Sequence, residues 1–127
     1  MPARLIVDGN NVMGSRPDGW WRDRAGAAAR LVEAIGAWAE EEVLVVFDGR
    51  PPEPPPAAAP HVEVRYAARG GRDGADDVIA ALVAGDADPR SLRVVTSDAA
   101  LAARVRAHGA AVTGARGFRD ALSSARP

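Results

Sequence analysis

Three apolar, strand-like runs in this 127-residue chain stop at an aspartate: Leu5-Ile6-Val7 at Asp8, Val43 to Phe47 at Asp48, and Leu92 to Thr96 at Ser97-Asp98. Two further acids, Asp76 and Asp77, open a helix-like run. Two carboxylates 4 Å apart repel by roughly 1–4 kcal/mol at effective dielectric constants of 80 to 20. A rim that gathers several of them therefore calls for divalent cations, bound protons or arginine partners. Mixed carboxylate and water oxygens suit Mg²⁺ or Mn²⁺, and no histidine or cysteine lies near enough in motif to suggest zinc. A magnesium site at such a rim can position water for in-line attack on phosphorus and stabilise the departing oxygen.

Each acid also has a plainer role. Asp8-Gly9 and Asp48-Gly49 read as turns. Asp73, Asp76 and Asp77 fit a helix cap and first-turn acids, and Asp98 fits the cap of the helix that follows it. Asn10 and Asn11 can orient a carboxylate or simply shape a turn. Thr96 and Ser97 can hydrogen-bond a phosphate or cap a helix. His61, before a strand, and His108, at a helix end, are assigned to structure.

The elements that must position these residues alternate between β-rich and helical runs, which indicates an α/β fold with a mainly parallel sheet. Strands are expected at Arg4–Val7, Val43–Phe47, His61–Tyr66, Leu92–Thr96 and Ala111–Thr113. A long helix is expected from about Asp23 to Glu41, where Ala28, Leu31, Val32, Ile35, Trp38 and Ala39 form one apolar stripe. Shorter helices are expected at Ala75–Ala84, at Ala99–Ala107 closed by Gly109, and at Phe118–Ser124. The proline run from Pro51 to Pro56 reads as a stiff surface connection. In an open parallel sheet, ligands bind beyond the carboxyl ends of the strands, so topology delivers Asp8, Asp48 and Asp98 to a common rim. The first turn of the helix that begins near Ala75 can face that rim too.

Composition sets the outer limits. A chain of this length fits one domain, residues 1–127, with a core that needs no staples. It has no cysteine, which removes disulfides and thiolate metal sites. No apolar run approaches the about 20 residues needed to span a bilayer, and no signal pattern opens the chain, so a cytoplasmic protein without membrane contact is expected. The net charge of −1 does not decide for or against nucleic acid, but the 16 Lys/Arg cations are all arginine. Arginine suits bidentate phosphate contacts and stacking on bases.

Leu5-Ile6-Val7-Asp8-Gly9-Asn10-Asn11, Val45-Val46-Phe47-Asp48-Gly49, Gly74-Ala75-Asp76-Asp77 and Val95-Thr96-Ser97-Asp98 occur in that order. Together they resemble the NYN branch of the PIN-like nucleases, and within it the YacP-type proteins, over about Leu5 to Leu122. The resemblance implies a PIN-like (Rossmann-like) three-layer α/β/α sandwich, Mg²⁺ or Mn²⁺, and endonucleolytic cleavage of RNA, expected single-stranded, with ribosome association among the implied settings. Carried over by position, Asp8, Asp76 and Asp98 match the family's catalytic, metal-binding acids. Asn11 matches the asparagine of its first motif, Asp77 a helix acid found in some members only, and Asp48 an outer-shell acid; Ser97 joins them as a supporting residue. The chain is shorter than typical YacP-type proteins, mostly through a missing C-terminal helical extension, and its tail from Ala115 to Leu122 matches only loosely. Substrate choice carried by that extension need not transfer.

The expected substrate surface is the Met13–Arg24 loop together with the stretch from Ala68 to Asp73. It offers Arg16, Trp20 and Arg22 on the first and Arg69 and Arg72 on the second, with Arg50 close by. At least one of Trp20 and Trp21 is expected to pack on the long helix instead. Two rivals to an endoribonuclease stand: an RNA-binding module without turnover, and a small-molecule phosphohydrolase or receiver-like domain. A receiver would want a lysine near the last strand, and the chain has none.

Overall fold

The structure is a computed structural model that describes residues 4–67 and 74–124. Five strands, β1 (Arg4–Asp8), β2 (Val43–Asp48), β3 (Val62–Ala67), β4 (Leu92–Val95) and β5 (Ala111–Thr113), form one sheet in the order β3-β2-β1-β4-β5. Every pairing is parallel. The helices are α1 (Gly9–Met13), α2 (Arg24–Trp38), α3 (Gly74–Gly85), α4 (Ala99–Arg106) and α5 (Ala115–Ser124), with single 3₁₀ turns at Trp20–Arg22 and Pro89–Ser91.

Helices cover both faces of the sheet, which explains why the inner strands read as unbroken apolar runs. Side chains alternate across each strand. Leu5, Val7, Val45 and Phe47 therefore join α1, α2 and α5 through Val12, Leu31, Ile35 and Phe118. Ile6, Val46 and Val94 join α3 and α4 through Ile79, Val83, Leu101 and Val105. This is the expected α/β/α sandwich. The chain runs outward from β1 through β2 to β3, then returns to lay β4 on the other side of β1. Strand order reverses between β1 and β4, and the carboxyl ends at such a switch point make a natural ligand crevice.

Three expectations about element ends change. The Asp8-Gly9 pair is not a turn: α1 starts at Gly9 directly from the strand. A Cβ on Gly9 would lie 2.6 Å from ring atoms of Phe47, so glycine is required there by close approach. The long helix stops at Trp38, because Ala39 is already extended; at its start Asp23 Oδ1 accepts the Gly26 N–H at 3.0 Å. The last helix begins at Ala115, three residues earlier than its apolar pattern suggests. The stretch from Pro51 to Pro56 has no regular structure, as expected. Among the described residues no helix is long and apolar enough to cross a membrane.

Candidate active site

Asp8 ends β1 beside the switch point and is 4% exposed. Across the gap, Thr96, 2% exposed, donates its Oγ1 hydroxyl to Asp8 Oδ2 at 2.9 Å. The same Oγ1 accepts the Asp98 N–H at 3.1 Å. One hydroxyl thus ties the end of β1 to the turn that leads into α4. Burial pushes the Asp8 carboxyl up to about 6. The Thr96 hydroxyl works against that rise, the like charges of Asp76 and Asp48 add to it, and the Asn11 backbone amide opposes it.

Side-chain amides and carboxylates stitch the surrounding loops together. Asn11 Oδ1 accepts the Ser97 N–H at 2.7 Å, and Ser97 Oγ accepts the Ala115 N–H at 2.8 Å. The exits of β1 and β4 and the start of α5 are therefore one connected unit. On the other side, Asn10 Oδ1 accepts the Asp48 N–H at 2.8 Å, and Asp48 Oδ1 accepts the Ala75 N–H at 2.9 Å. That second chain runs from β1 through β2 to the first turn of α3, and it seats half-buried Asp76 where its charge reaches Asp8.

The candidate acids divide into two sets. Asp8, Asp48 and Asp76 share one electrostatic neighbourhood. Asp98 lies next to it but spends Oδ1 on the Ala100 and Leu101 N–H groups, at 2.9 and 3.0 Å, as the N-cap of α4. Its link to Asp8 runs through Thr96. Asp77 is exposed and pairs with Arg104 of α4 at 3.1 Å. Among the described residues no three His, Cys, Asp or Glu side chains form a ready metal cage. Mg²⁺ does not demand one: it keeps several waters and takes one or two carboxylates plus substrate phosphate. Asp8 and Asp76, which share one electrostatic neighbourhood, offer that number of carboxylates.

Several substrate candidates have other work. Arg16 is spent on α5, where it pairs with Asp120 and donates to Ser123 Oγ at 3.1 Å, so it closes the Met13–Arg24 loop onto that helix. Ser97 likewise anchors α5 by accepting the Ala115 N–H. Trp20 packs against the core on the α2 side, as expected for one of the two tryptophans. Trp21 stays 48% exposed, with the Arg22 guanidinium carbon 6.0 Å from its ring centroid. Arg50 is exposed beyond Asp48, as a phosphate contact requires. Arg69, Arg72 and Asp73 lie outside the described residues. His61 sits at the opposite edge of the sheet near Arg4, and His108 is exposed after α4, so neither reaches the rim.

Three functions escaped sequence reasoning. Thr96 serves the aspartate before it in space, not a phosphate. Arg119 fastens the loop by donating to the Val12 and Met13 carbonyls and, at 2.6 Å, to Asp18. Tyr66 stacks on Phe47 beside the rim. Only Thr96 left a readable signal, a hydroxyl two residues before an aspartate at a strand end.

Comparison with known proteins agrees with this fold. A model of the YacP-like NYN domain matches residues 5–127. The crystal structure of Rae1 (YacP) from Bacillus subtilis superposes with a TM-score of 0.74 at 24% identity, covering 98% of this chain and 75% of that one. A tryptophan-to-leucine variant of the same protein gives 0.75 at 24% identity, covering 96% and 76%. At that identity the likeness establishes the fold. No curated protein matches the chain significantly in sequence.

Proposed function

We propose, from the premise that the chain belongs to the YacP-like NYN domain family, that it is a metal-dependent endoribonuclease acting on single-stranded RNA. Family membership supports the coarser role of a nuclease-type RNA-processing domain. The observation that carries the finer reading is Asp8, a buried carboxylate at the switch point, held up to about 6 with two more acids beside it. Folding assembles like charges there against their electrostatic preference, which favours the binding of a divalent cation.

Asp8 and Asp76 would hold Mg²⁺ or Mn²⁺, with Asp98 contributing the oxygen not used in capping α4. A divalent ion at this place supplies Lewis acidity and offsets charge on the phosphate under attack. The chain's own residues do the positioning. Thr96 fixes the Asp8 carboxylate through Oδ2, and Asn11 clamps the β4 exit so that the Asp8–Asp98 spacing cannot drift. Asp48 aims the first turn of α3 by holding the Ala75 N–H. Arg50, Arg22 and the exposed Trp21 supply cations and an aromatic face for the RNA strand outside the acidic rim.

Purified protein and an end-labelled single-stranded RNA test this. Cleavage is expected with Mn²⁺ or Mg²⁺ and none with EDTA. Asp8→Asn and Asp76→Asn should each lower the rate at least about 100-fold, equivalent to about 2.7 kcal/mol of transition-state stabilisation. Variants that cleave as well as the wild type would overturn the enzyme assignment. RNA bound tightly in Mn²⁺ but never cut would support the binding module in its place.

A further inference from the structure

A cleft of about 320 Å³ opens beside the acidic rim, between the N-terminal end of α2 and the exits of β2 and β3. Asp48 belongs to both: its charge acts on Asp8, and it is one of the residues that line the cleft. One wall is the Phe47–Tyr66 pair, stacked with ring centroids 5.2 Å apart and planes 26° from parallel. Phe47 is buried and half-buried Tyr66 continues the wall outward. Arg24 and Arg50 stand at the mouth, both exposed and, among the described residues, in no ion pair. Arg24 is steadied by Trp20, its guanidinium carbon 5.3 Å from the ring centroid. Gly49 turns the chain out of β2 at φ +82, with open space where a side chain would stand.

These surfaces ask for a flat ligand that is apolar on its faces, polar on its edge and anionic at one end. Tyr66, backed by Phe47, provides the stacking wall, and the two guanidinium groups provide the cationic entrance. Asn10 gives its carbonyl to the Asp48 N–H, which leaves its amide N–H groups as donors, while Asp48 keeps an oxygen as acceptor. A nucleobase with its phosphate has those properties. The volume lies at the small end of ligand sites, which run from about 300 to 1,000 Å³, and so suits one nucleotide. A base inside a duplex would have to leave its stack to enter.

We propose that this cleft is a subsite for one unpaired base of the RNA, seated against Tyr66, with Arg50 leading the attached phosphate towards Asp8. The proposal rests on RNA being the substrate, and it adds a specificity element: the nucleotide next to the cut must be single-stranded.

Binding of a labelled oligoribonucleotide of about eight residues, followed by anisotropy with the full chain carrying Asp8→Asn so that the RNA stays intact, tests it. Abasic residues are placed at each position in turn. One position should stand out, losing about tenfold in affinity, and Tyr66→Ala should lose about tenfold with the intact RNA yet nothing more with that abasic RNA. Arg50→Ala should weaken binding about threefold and flatten its salt dependence. The subsite is overturned if no position stands out, or if the abasic loss persists undiminished in Tyr66→Ala. Should circular dichroism show Tyr66→Ala unfolded, Tyr66→Leu, which keeps bulk but not the aromatic face, carries the same cycle. A standing abasic position in a chain that never cuts RNA would sink the nuclease reading and leave the subsite intact; cutting without such a position would do the reverse.

Discussion

At the N-terminal edge of the sheet, Arg4 donates to both carboxylate oxygens of Asp86 at 2.9 and 2.8 Å and to Ser91 Oγ at 2.6 Å. At the opposite edge, Asp8 meets two more acids and is steadied by one hydroxyl and one amide. The two aspartates respond in opposite directions. The Arg4 guanidinium and the Asp88 N–H hold the Asp86 carboxyl down to about 2. Burial and like charge push Asp8 up to about 6. One edge closes the fold by pairing opposite charges, and the other gathers like charges where strand order reverses. On the proposed reading, a carboxylate that burial makes costly at Asp8 is kept for function and not for stability.

The sharpest break of this contrast is removal of the Asp8 charge. Folded Asp8 holds its proton more tightly than the unfolded chain does, so its contribution is a penalty. The penalty is complete above about 6, fades as the pH falls towards 3.8, and is absent below that. The interval corresponds to about 3 kcal/mol. Asp8→Asn should therefore be more stable than the wild type by up to about 3 kcal/mol at pH 7.5, by urea unfolding, while its RNA cleavage is lost. At pH 4 the two chains should unfold at nearly the same urea concentration. Saturating Mn²⁺ should narrow the difference at pH 7.5, because only the wild type gains from the ion. A less stable Asp8→Asn at pH 7.5 would mean that the carboxylate is structural.

Much of this contrast is legible from residue order. Asp8, Asp48 and Asp98 sit at strand ends because a parallel sheet aligns carboxyl ends, and alternating β and α runs suffice to infer that alignment. Strand limits transfer almost unchanged, since β1 and β2 are apolar runs buried on both faces and β3 alternates buried and exposed residues. What the sequence hides is how side chains choose partners. The cap at Asp98 is legible, but Asp77 looks like Asp76 on paper and yet pairs with Arg104. Arg16 looks like an RNA contact until α5 folds back and brings Asp120 beside it. Local patterns fix backbone periodicity, whereas these pairings are set by contacts more than a hundred residues apart in the case of Arg16 and Asp120. The α1 turn was hidden for a related reason: Gly9 is dictated by the Phe47 ring, not by a turn.

Thr96 sharpens the comparison at intermediate cost. Thr96→Val keeps the shape and removes the hydroxyl, leaving Asp8 Oδ2 without its donor and the Asp98 N–H without its acceptor. A loss of about 1–3 kcal/mol is expected for buried groups stripped of a partner. Because the hydroxyl favours the charged form of Asp8, the variant should raise the Asp8 carboxyl still further, read directly by NMR titration of its side-chain carbon. The destabilisation should be larger at pH 7.5 than at pH 4, and Thr96→Ser should restore most of it. A pH-independent loss would assign Thr96 to packing alone.

The smallest effect belongs to the paired edge. Asp86 is lowered by its arginine, so its contribution is stability that is present above 3.8 and lost as the pH falls towards about 2. Arg4 and Asp86 both keep contact with solvent, with side-chain exposures of 37% and 19%, and exposed pairs contribute little because water screens them. Asp86→Asn should therefore lower the unfolding midpoint slightly at neutral pH, with the difference closing only in strong acid, below the window in which Asp8 titrates. RNA cleavage should be unchanged, since the substitution lies at the far end of the strands from the rim. If Asp86→Asn altered cleavage as strongly as Asp8→Asn, the two edges would not be separable, and the division between a fold-closing edge and a chemical edge would fail.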